Sequence, residues 1–167
     1  GSDLMPRQAM DAETRAERDD HGAIRLWLRM LATNRLVEAR TRRLLQERFS
    51  TTLPRFDLMA QLEREPKGLK MGELSKRMMV TGGNVTGITD MLEEEGLVER
   101  VADPTDRRAW LVRLTPAGRR AFAAMAEEHE RWIVESIREL SGREMATVAA
   151  LLARLKTHVR SLEERDA

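Results

Sequence analysis

The feature that most constrains the fold is a change of hydrophobic period between Leu97 and Leu114. Upstream of it, apolar residues recur at the spacing of helices, whereas "LVERV" and "AWLVRL" are β-rich runs on either side of the polar connector "ADPTDRR". In the second run Trp110, Val112 and Leu114 occupy every second position, which is the period of a strand. The sequence therefore predicts a two-stranded hairpin with a charged tip in a mainly helical chain.

Four helices are predicted before this hairpin. The first runs from about His21 to Phe49, and the second has Pro54 at its first position behind a Ser/Thr cap. A short third helix follows, and the fourth begins after Thr81 as N-cap and ends at Gly96. The residues predicted to face inward on the last three are Phe56, Leu58, Met59, Leu62, Met71, Leu74, Met78, Val85, Ile88, Met91 and Leu92.

Two further helices are predicted after the hairpin, at about 116–140 and 142–164. Thr115 and Pro116 open the first of them. The second carries a heptad seam, which is typical of a coiled-coil contact. We favour a partner chain as the surface that covers this seam, alone or together with the first helix of the same chain, and the alternative is packing against that first helix alone. The seam residues are Met145, Val148, Leu152, Leu155, Val159 and Leu162.

Composition excludes several functional classes. The chain has no cysteine and only three scattered histidines, so thiol chemistry and Cys- or His-based metal clusters are not expected. No Ser–His–Asp or Cys–His set and no phosphate loop is present, which argues against an enzyme. No apolar run approaches the roughly 20 residues that span a bilayer. We therefore expect a cytoplasmic protein with no cofactor, no metal and no membrane partner.

Three short helices followed by a hairpin are the pattern of a winged helix-turn-helix, in which the fourth helix of this chain would read the major groove. Three glycines crowd the start of that helix, although each costs about 1 kcal/mol relative to alanine in a helix interior. Close approach of the backbone to a duplex would explain them. The alternative is that Gly82-Gly83 forms a turn and Asn84 caps a later helix start. The candidate contacts are Thr81, Gly82, Gly83, Asn84, Thr86, Gly87 and Thr89.

The tip of the predicted wing carries Asp106, Arg107 and Arg108. An arginine at such a tip suits the narrow minor groove, where negative potential is concentrated. A carboxylate two residues earlier would hold the guanidinium in place. The alternative is a solvent-exposed turn with a surface ion pair.

The run "LSKRMMVTGGNVTGITDMLEEEGLVERVADPTDRRAWLVRLTPAG" closely resembles the MarR (multiple antibiotic resistance regulator) family of bacterial transcription factors. The motif Asp-x-Arg followed by Leu-Thr-x-x-Gly is matched here by Asp106, Arg108, Leu114, Thr115 and Gly118. The resemblance implies a homodimer on a palindromic operator, with Arg108 in the minor groove and Asp106 orienting it.

The resemblance also implies a division of the chain. It makes residues 54–117 the winged helix-turn-helix, and residues 21–53 with 118–164 a helical dimerisation domain. Residues 1–20 are polar and carry no apolar period, so they are predicted to be a mobile tail.

Members of this family typically bind a small aromatic ligand that releases DNA, and the chain looks like the branch that responds to aromatic acids or their CoA thioesters. Apolar and polar side chains on three helices are candidates for that pocket, and the alternative is that each packs in the core. His129 in particular suits a core histidine. The candidates are Arg25, Trp27, Arg29, Met30, Leu31, Asn34, Phe56, Met59, Met125, His129 and Trp132. The chain is thus expected to be a ligand-responsive repressor; the alternatives are a DNA binder without a ligand and an enzyme acting on aromatic-CoA substrates.

Overall fold

A computed structural model describes residues 4–78 and 84–167, with side chains from residue 20 onwards. The chain forms two compact units, Gly1–Ser50 and Thr51–Ala167. Helix α1 (Leu4–Phe49) makes up the first unit. The second unit contains, in chain order, α2 (Leu53–Glu63), β1 (Leu69–Lys70), α3 (Met71–Arg77), α4 (Val85–Glu94), β2 (Val98–Ala102), β3 (Trp110–Leu114), α5 (Pro116–Ile137) and α6 (Gly142–Asp166).

Helix α1 begins at Leu4, well before the start near His21 that the sequence predicted. The segment before His21 is polar and lacks an apolar stripe, but it is rich in Ala, Glu, Arg and Met, which have high helix propensity. A prediction based on apolar period misses such a helix. The mobility of this segment and the functional division at residue 54 stay predictions.

Helix α2 forms where and how the sequence predicted. The Thr52 hydroxyl accepts a hydrogen bond from the Arg55 backbone N–H (3.3 Å), and Pro54 lies in the first turn, where its missing N–H needs no partner. Phe56, Leu58, Met59 and Leu62 are all buried. They form the centre of the second unit's core together with Leu74, Met78, Leu92, Val98, Val112 and Leu114.

The predicted hairpin is part of a three-stranded antiparallel sheet with the order β1-β3-β2. Strands β2 and β3 pair from Val98↔Leu114 to Ala102↔Trp110, as the alternation of apolar residues predicted. The third strand was not predicted: Leu69 pairs with Val112, and Lys70 with Leu111. A strand of two residues is too short to give a periodic signal, so the sequence pattern could not reveal it.

A compact joint connects the end of α4, strand β2 and the start of α5. The Thr115 hydroxyl donates to the Gly96 carbonyl (2.6 Å) and accepts from the Gly118 N–H (3.0 Å), while the Thr115 N–H donates to the Leu97 carbonyl (3.1 Å). At Gly118, a Cβ would lie 1.9 Å from the Leu97 carbonyl oxygen. The Leu-Thr-x-x-Gly motif therefore has a structural reason, because only glycine leaves room for this approach.

The seam of α6 is exposed along most of its length. Ser141 and Glu144 form a capping box at its start, with hydrogen bonds of 2.9 and 3.1 Å. Further along, Met145, Val148, Leu152, Leu155 and Val159 are each 41–53% exposed. Such a row of half-exposed apolar side chains has the spacing of a helix–helix contact. Within the described residues, no helix is both long and apolar enough to cross a bilayer.

We predict that Gly118→Ala lowers the free energy of unfolding by about 1–3 kcal/mol, because the new methyl group overlaps a backbone carbonyl that cannot move alone. Urea denaturation followed by circular dichroism measures this change. Gly72→Ala is the matched control, since a Cβ at Gly72 meets nothing within 4 Å. An unchanged midpoint for Gly118→Ala would show that the joint tolerates the extra methyl group.

Candidate nucleic-acid interface

The turn between β2 and β3 is held by side chains of its own. Asp103 accepts hydrogen bonds from the Thr105 N–H and the Thr105 hydroxyl, both 2.9 Å, through the same carboxylate oxygen. The Asp103 N–H donates to the Ala109 carbonyl and the Ala109 N–H donates to the Asp106 carbonyl, each at 3.1 Å. The connector thus has a fixed backbone although it is polar throughout.

Asp103 is the buried centre of this turn, with a side chain only 7% exposed. The hydrogen bonds from Thr105 stabilise its charged form and lower the pKa of the Asp103 carboxyl, with a smaller contribution from Lys70, whose ammonium nitrogen is 3.7 Å from the carboxylate. The sequence analysis did not single out Asp103. An Asp followed two residues later by Thr at a Pro-containing turn was the available signal.

Asp106 fixes the backbone of Arg108, two residues further along the chain. Its carboxylate accepts from the Arg108 backbone N–H at 3.0 Å, so the predicted contact with the Arg108 guanidinium is replaced by one with the main chain. Short Asp side chains favour this bond because they reach the N–H two residues ahead. Arg107 and Arg108 are exposed, and among the described residues neither forms an ion pair.

Helix α4 begins at Val85, with Asn84 as its N-cap. The Asn84 side-chain oxygen accepts from the Gly87 N–H at 3.0 Å. The helix therefore begins later than a cap at Thr81 predicts, as in the alternative interpretation of the glycine-rich segment. Thr81, Gly82 and Gly83 lie outside the described residues.

Gly87 has a local role in this cap. A Cβ at Gly87 would lie 2.8 Å from the Asn84 amide nitrogen and 3.1 Å from its Cγ. The glycine thus leaves room for the capping side chain to fold over the first turn, in addition to any close approach to a duplex. Asn84 and Thr86 remain exposed at this end of the helix.

The buried face of α4 differs from the predicted one. Thr89 is fully buried and Met91 is 52% exposed, so the prediction of Thr89 as a base contact is wrong, and so is the inward position of Met91. The Thr89 hydroxyl donates to the Val85 carbonyl at 2.8 Å. Because this bond satisfies the hydroxyl inside the helix, Thr89 can be buried beside Leu92 without an unpaired polar group.

Arg100 on β2 connects the sheet to α4. Its guanidinium lies 2.6 Å from the Asp90 carboxylate and 2.8 Å from the Glu93 carboxylate. The hydrogen bond with Asp90, followed by the attraction of both carboxylates, raises the pKa of Arg100. The sequence analysis missed this role, because pairing between residues seven and ten positions apart has no short-range pattern.

The charge on α4 is unusual for a helix expected to meet DNA. The helix contains Asp90, Glu93 and Glu94 but no basic residue. Arg100 neutralises two of these carboxylates, and Arg55 pairs with Glu95 at the helix end. Cationic contacts with phosphate must therefore come from outside α4.

The candidate ligand residues of the second unit form an aromatic cluster in the core. The Phe56 ring stacks on Phe122 (5.4 Å between centroids) and lies 5.0 Å from His129, whose other neighbour is Trp132 at 6.3 Å. Phe56, Met59, Met125 and Trp132 are buried. Burial lowers the pKa of the His129 imidazole. These side chains belong to the core, as the alternative interpretation expected.

The remaining ligand candidates lie on α1, in the first unit. Trp27 is 55% exposed, Met30 and Leu31 are half-buried, and Asn34 is exposed. Arg25 and Arg29 are exposed too. A role of these residues in ligand binding stays a prediction.

The MarR family profile matches residues 51–110, which include α2 to the start of β3. A crystal structure of a MarR family transcriptional regulator from Silicibacter pomeroyi is similar over 84% of this chain and 97% of its own, with 33% identity and a TM-score of 0.72. The chain belongs to the MarR family. This membership confirms the predicted winged-helix fold and favours a regulator over an enzyme.

Two curated relatives are regulators as well. A putative transcriptional regulatory protein for the hcr operon of Thauera aromatica is 33% identical over 58% of this chain and 58% of its own length. The transcriptional activatory protein BadR of Rhodopseudomonas palustris is 28% identical over 74% of this chain and 71% of its own. The chain spans 58% of the length of the first two curated relatives that it matches.

We predict that His129 makes the stability of the protein sensitive to mild acid. The folded state favours the neutral imidazole of His129. The contribution of this residue to the unfolding free energy is therefore complete above the ordinary pKa of 6.5 and is lost as the pH falls below that pKa. Between about pH 7.5 and about pH 5.5, the wild type should lose more unfolding free energy than His129→Phe. Equal losses of unfolding free energy in the two proteins would show that His129 is not the cause of the acid sensitivity.

We predict a measurable coupling between Arg100 and Asp90. In a double-mutant cycle with Arg100→Met and Asp90→Asn, the unfolding free energies should give a coupling of about 0.5–1 kcal/mol, because the Arg100 side chain is only 26% exposed. The coupling should decrease at high salt. The same cycle with Arg131 and Glu127, an exposed pair within α5, is the control and should give a smaller value.

Proposed function

We propose that the protein is a transcriptional repressor that binds a palindromic DNA operator as a homodimer. The observation that carries the proposal is the exposed pair Arg107 and Arg108 on a turn whose backbone is fixed by Asp103 and Asp106. A preorganised cationic tip loses little conformational entropy when it enters a minor groove. A DNA-binding regulator acts where the chromosome is, so the proposal includes the cytoplasm.

In this proposal the two parts of the site divide the work. Asn84 and Thr86, exposed at the start of α4, would read base edges in the major groove, since amide and hydroxyl groups suit that role. Arg108 would supply the ionic contact in the neighbouring minor groove. The acidic residues of α4 support this division, because the helix itself offers phosphate no cation.

The exposed seam of α6 supports the homodimer. Its residues repeat with the spacing of a coiled-coil contact and are about half exposed. Two copies of the chain would cover them and would present two wings to the two halves of a palindrome. Analytical ultracentrifugation at micromolar concentration tests this part, and a monomer would contradict it.

We further propose that a small aromatic acid or its CoA thioester releases the DNA. The support is the aromatic cluster of Phe56, Phe122, His129 and Trp132, in which Phe122 and His129 are half-buried and so leave ring surface accessible to an aromatic ligand. A thermal-shift screen of aromatic acids against their CoA thioesters identifies the class, because a specific ligand raises the apparent stability.

A gel-shift titration, on a DNA duplex that the wild type enriches from random-sequence DNA, then distinguishes a ligand-responsive repressor from the alternatives. Release of DNA by a stabilising ligand supports the repressor. If no compound of either class stabilises the protein or releases the DNA, a DNA binder without a ligand is favoured, and turnover of an aromatic-CoA compound would favour an enzyme.

We predict that Arg108→Ala weakens DNA binding about tenfold or more while leaving the melting temperature unchanged, because an exposed arginine contributes to binding and not to folding. The probe is a duplex of about 30 base pairs that the wild type enriches from random-sequence DNA. The dependence of log affinity on log salt should become shallower by about one ion.

Arg165→Ala on α6 is the matched control for Arg108→Ala. It removes the same charge from an exposed position outside the proposed contacts and should leave affinity and salt dependence unchanged. Normal affinity in Arg108→Ala would contradict the role of the wing tip. If the wild type enriches no duplex, the proposed function itself fails.

A further inference from the structure

Trp110 is the large aromatic residue of the wing, and its side chain is mostly in solvent. It is the first residue of β3 and is 59% exposed, whereas Val112 and Leu114, further along the same side of the strand, are 0% and 3% exposed. Its partner across the sheet is Ala102, whose methyl group is too small to cover an indole. The apolar side of β3 therefore continues past the protein core and ends in an uncovered ring.

The surroundings of Trp110 indicate what could cover it. It follows the exposed Arg107 and Arg108 by three and two residues, at the end of the turn that Asp103 and Asp106 fix. Arg113, three residues further along β3 and on its other face, is already paired with Glu99 at 2.7 Å. An aromatic ring two and three residues from two exposed cations is complementary to a polyanion whose sugars present C–H groups between the phosphates.

We propose that Trp110 is a further DNA-contacting residue of the wing, packing its indole face against a deoxyribose and donating its Nε1–H to a phosphate oxygen. The inference rests on the proposed function and adds to it a contact that is not ionic. An indole has both properties that the contact needs: an apolar face that loses water on binding, and a single N–H donor. It also loses little conformational freedom, because it has only two rotatable side-chain bonds.

The contribution of Trp110 differs from that of Arg108 in its response to salt. An arginine that neutralises a phosphate releases a counterion, so its loss reduces the slope of log affinity against log salt. An indole releases none. Trp110→Ala should therefore weaken binding about tenfold, which corresponds to about 1.4 kcal/mol, with an unchanged salt slope.

The test measures the binding of three proteins to the enriched duplex over a range of salt concentrations by fluorescence anisotropy. The proteins are the wild type, Trp110→Ala and Trp110→Phe. The phenylalanine variant keeps the apolar face and lacks the N–H donor, so its affinity should lie between the other two. Unchanged melting temperatures show that the folds are intact, as expected for an exposed side chain.

A second measurement reports on the ring directly. The protein contains three tryptophans, so labelling with 5-fluorotryptophan gives three fluorine signals, and the signal absent from Trp110→Phe belongs to Trp110. Without DNA this signal should shift between H₂O and D₂O, because the ring is in solvent. The duplex should shift the signal and reduce its dependence on the solvent isotope.

The possible outcomes separate the inference from the proposed function. If the wild type enriches and binds a duplex but Trp110→Ala binds it equally well and the fluorine signal does not respond, the inference is wrong and the proposed function stands. A Trp110 signal already protected without DNA would overturn the inference in favour of a contact between copies of the chain. A wild type that enriches no duplex overturns both.

Discussion

The close approach of Gly118 to the Leu97 carbonyl is the constraint on which the second unit depends. Around it, Thr115 bonds to Gly96, Leu97 and Gly118, so that the end of α4, the start of β2, the end of β3 and the start of α5 meet within one residue's reach. Because each bond uses a backbone group that a helix or strand end would leave unpaired, the joint satisfies the elements that it connects. The directions of the wing and of α4 follow from this one point.

Ion pairing distinguishes the arginines around α4 and the sheet from the two arginines at the tip of the wing. Arg100, Arg113 and Arg55 are each paired with carboxylates, so these three cations interact within the fold. Arg107 and Arg108 have no such partner among the described residues. A count of basic residues along the sequence could not make this distinction, because pairing depends on which strand lies beside which helix. The charge that matters for a polyanion is the part that the fold leaves unpaired.

The sequence predicted most where local rules decide the structure. The Ser/Thr cap and proline of α2, the alternation in β3 and the Thr115 start of α5 each depend on residues within one turn or one strand, and all three are confirmed. The motif that carried the family resemblance lies in the same local segments.

The predictions were wrong or incomplete where a polar side chain forms a hydrogen bond with nearby backbone, or where interacting residues are far apart in the sequence. Thr89 was expected to contact DNA because threonine suits base edges and thymine methyl groups, but the hydrogen bond to the Val85 carbonyl lets it be buried. Asp106 was expected to hold the Arg108 guanidinium, but the backbone N–H of Arg108 is a nearer donor to its carboxylate. The Arg100 contacts and strand β1 depend on the tertiary arrangement, which no spacing along the chain encodes.

Strand β1 has a mechanical consequence. It passes directly into α3 with no intervening loop, while Leu69 and Lys70 are bonded to β3 and Lys70 also pairs with Asp103 in the turn. There is thus no hinge between α3 and the β2–β3 hairpin. Helix α3 and the β2–β3 hairpin would move as one rigid body. Docking of either element on a surface would therefore fix the distance of the other element from that surface.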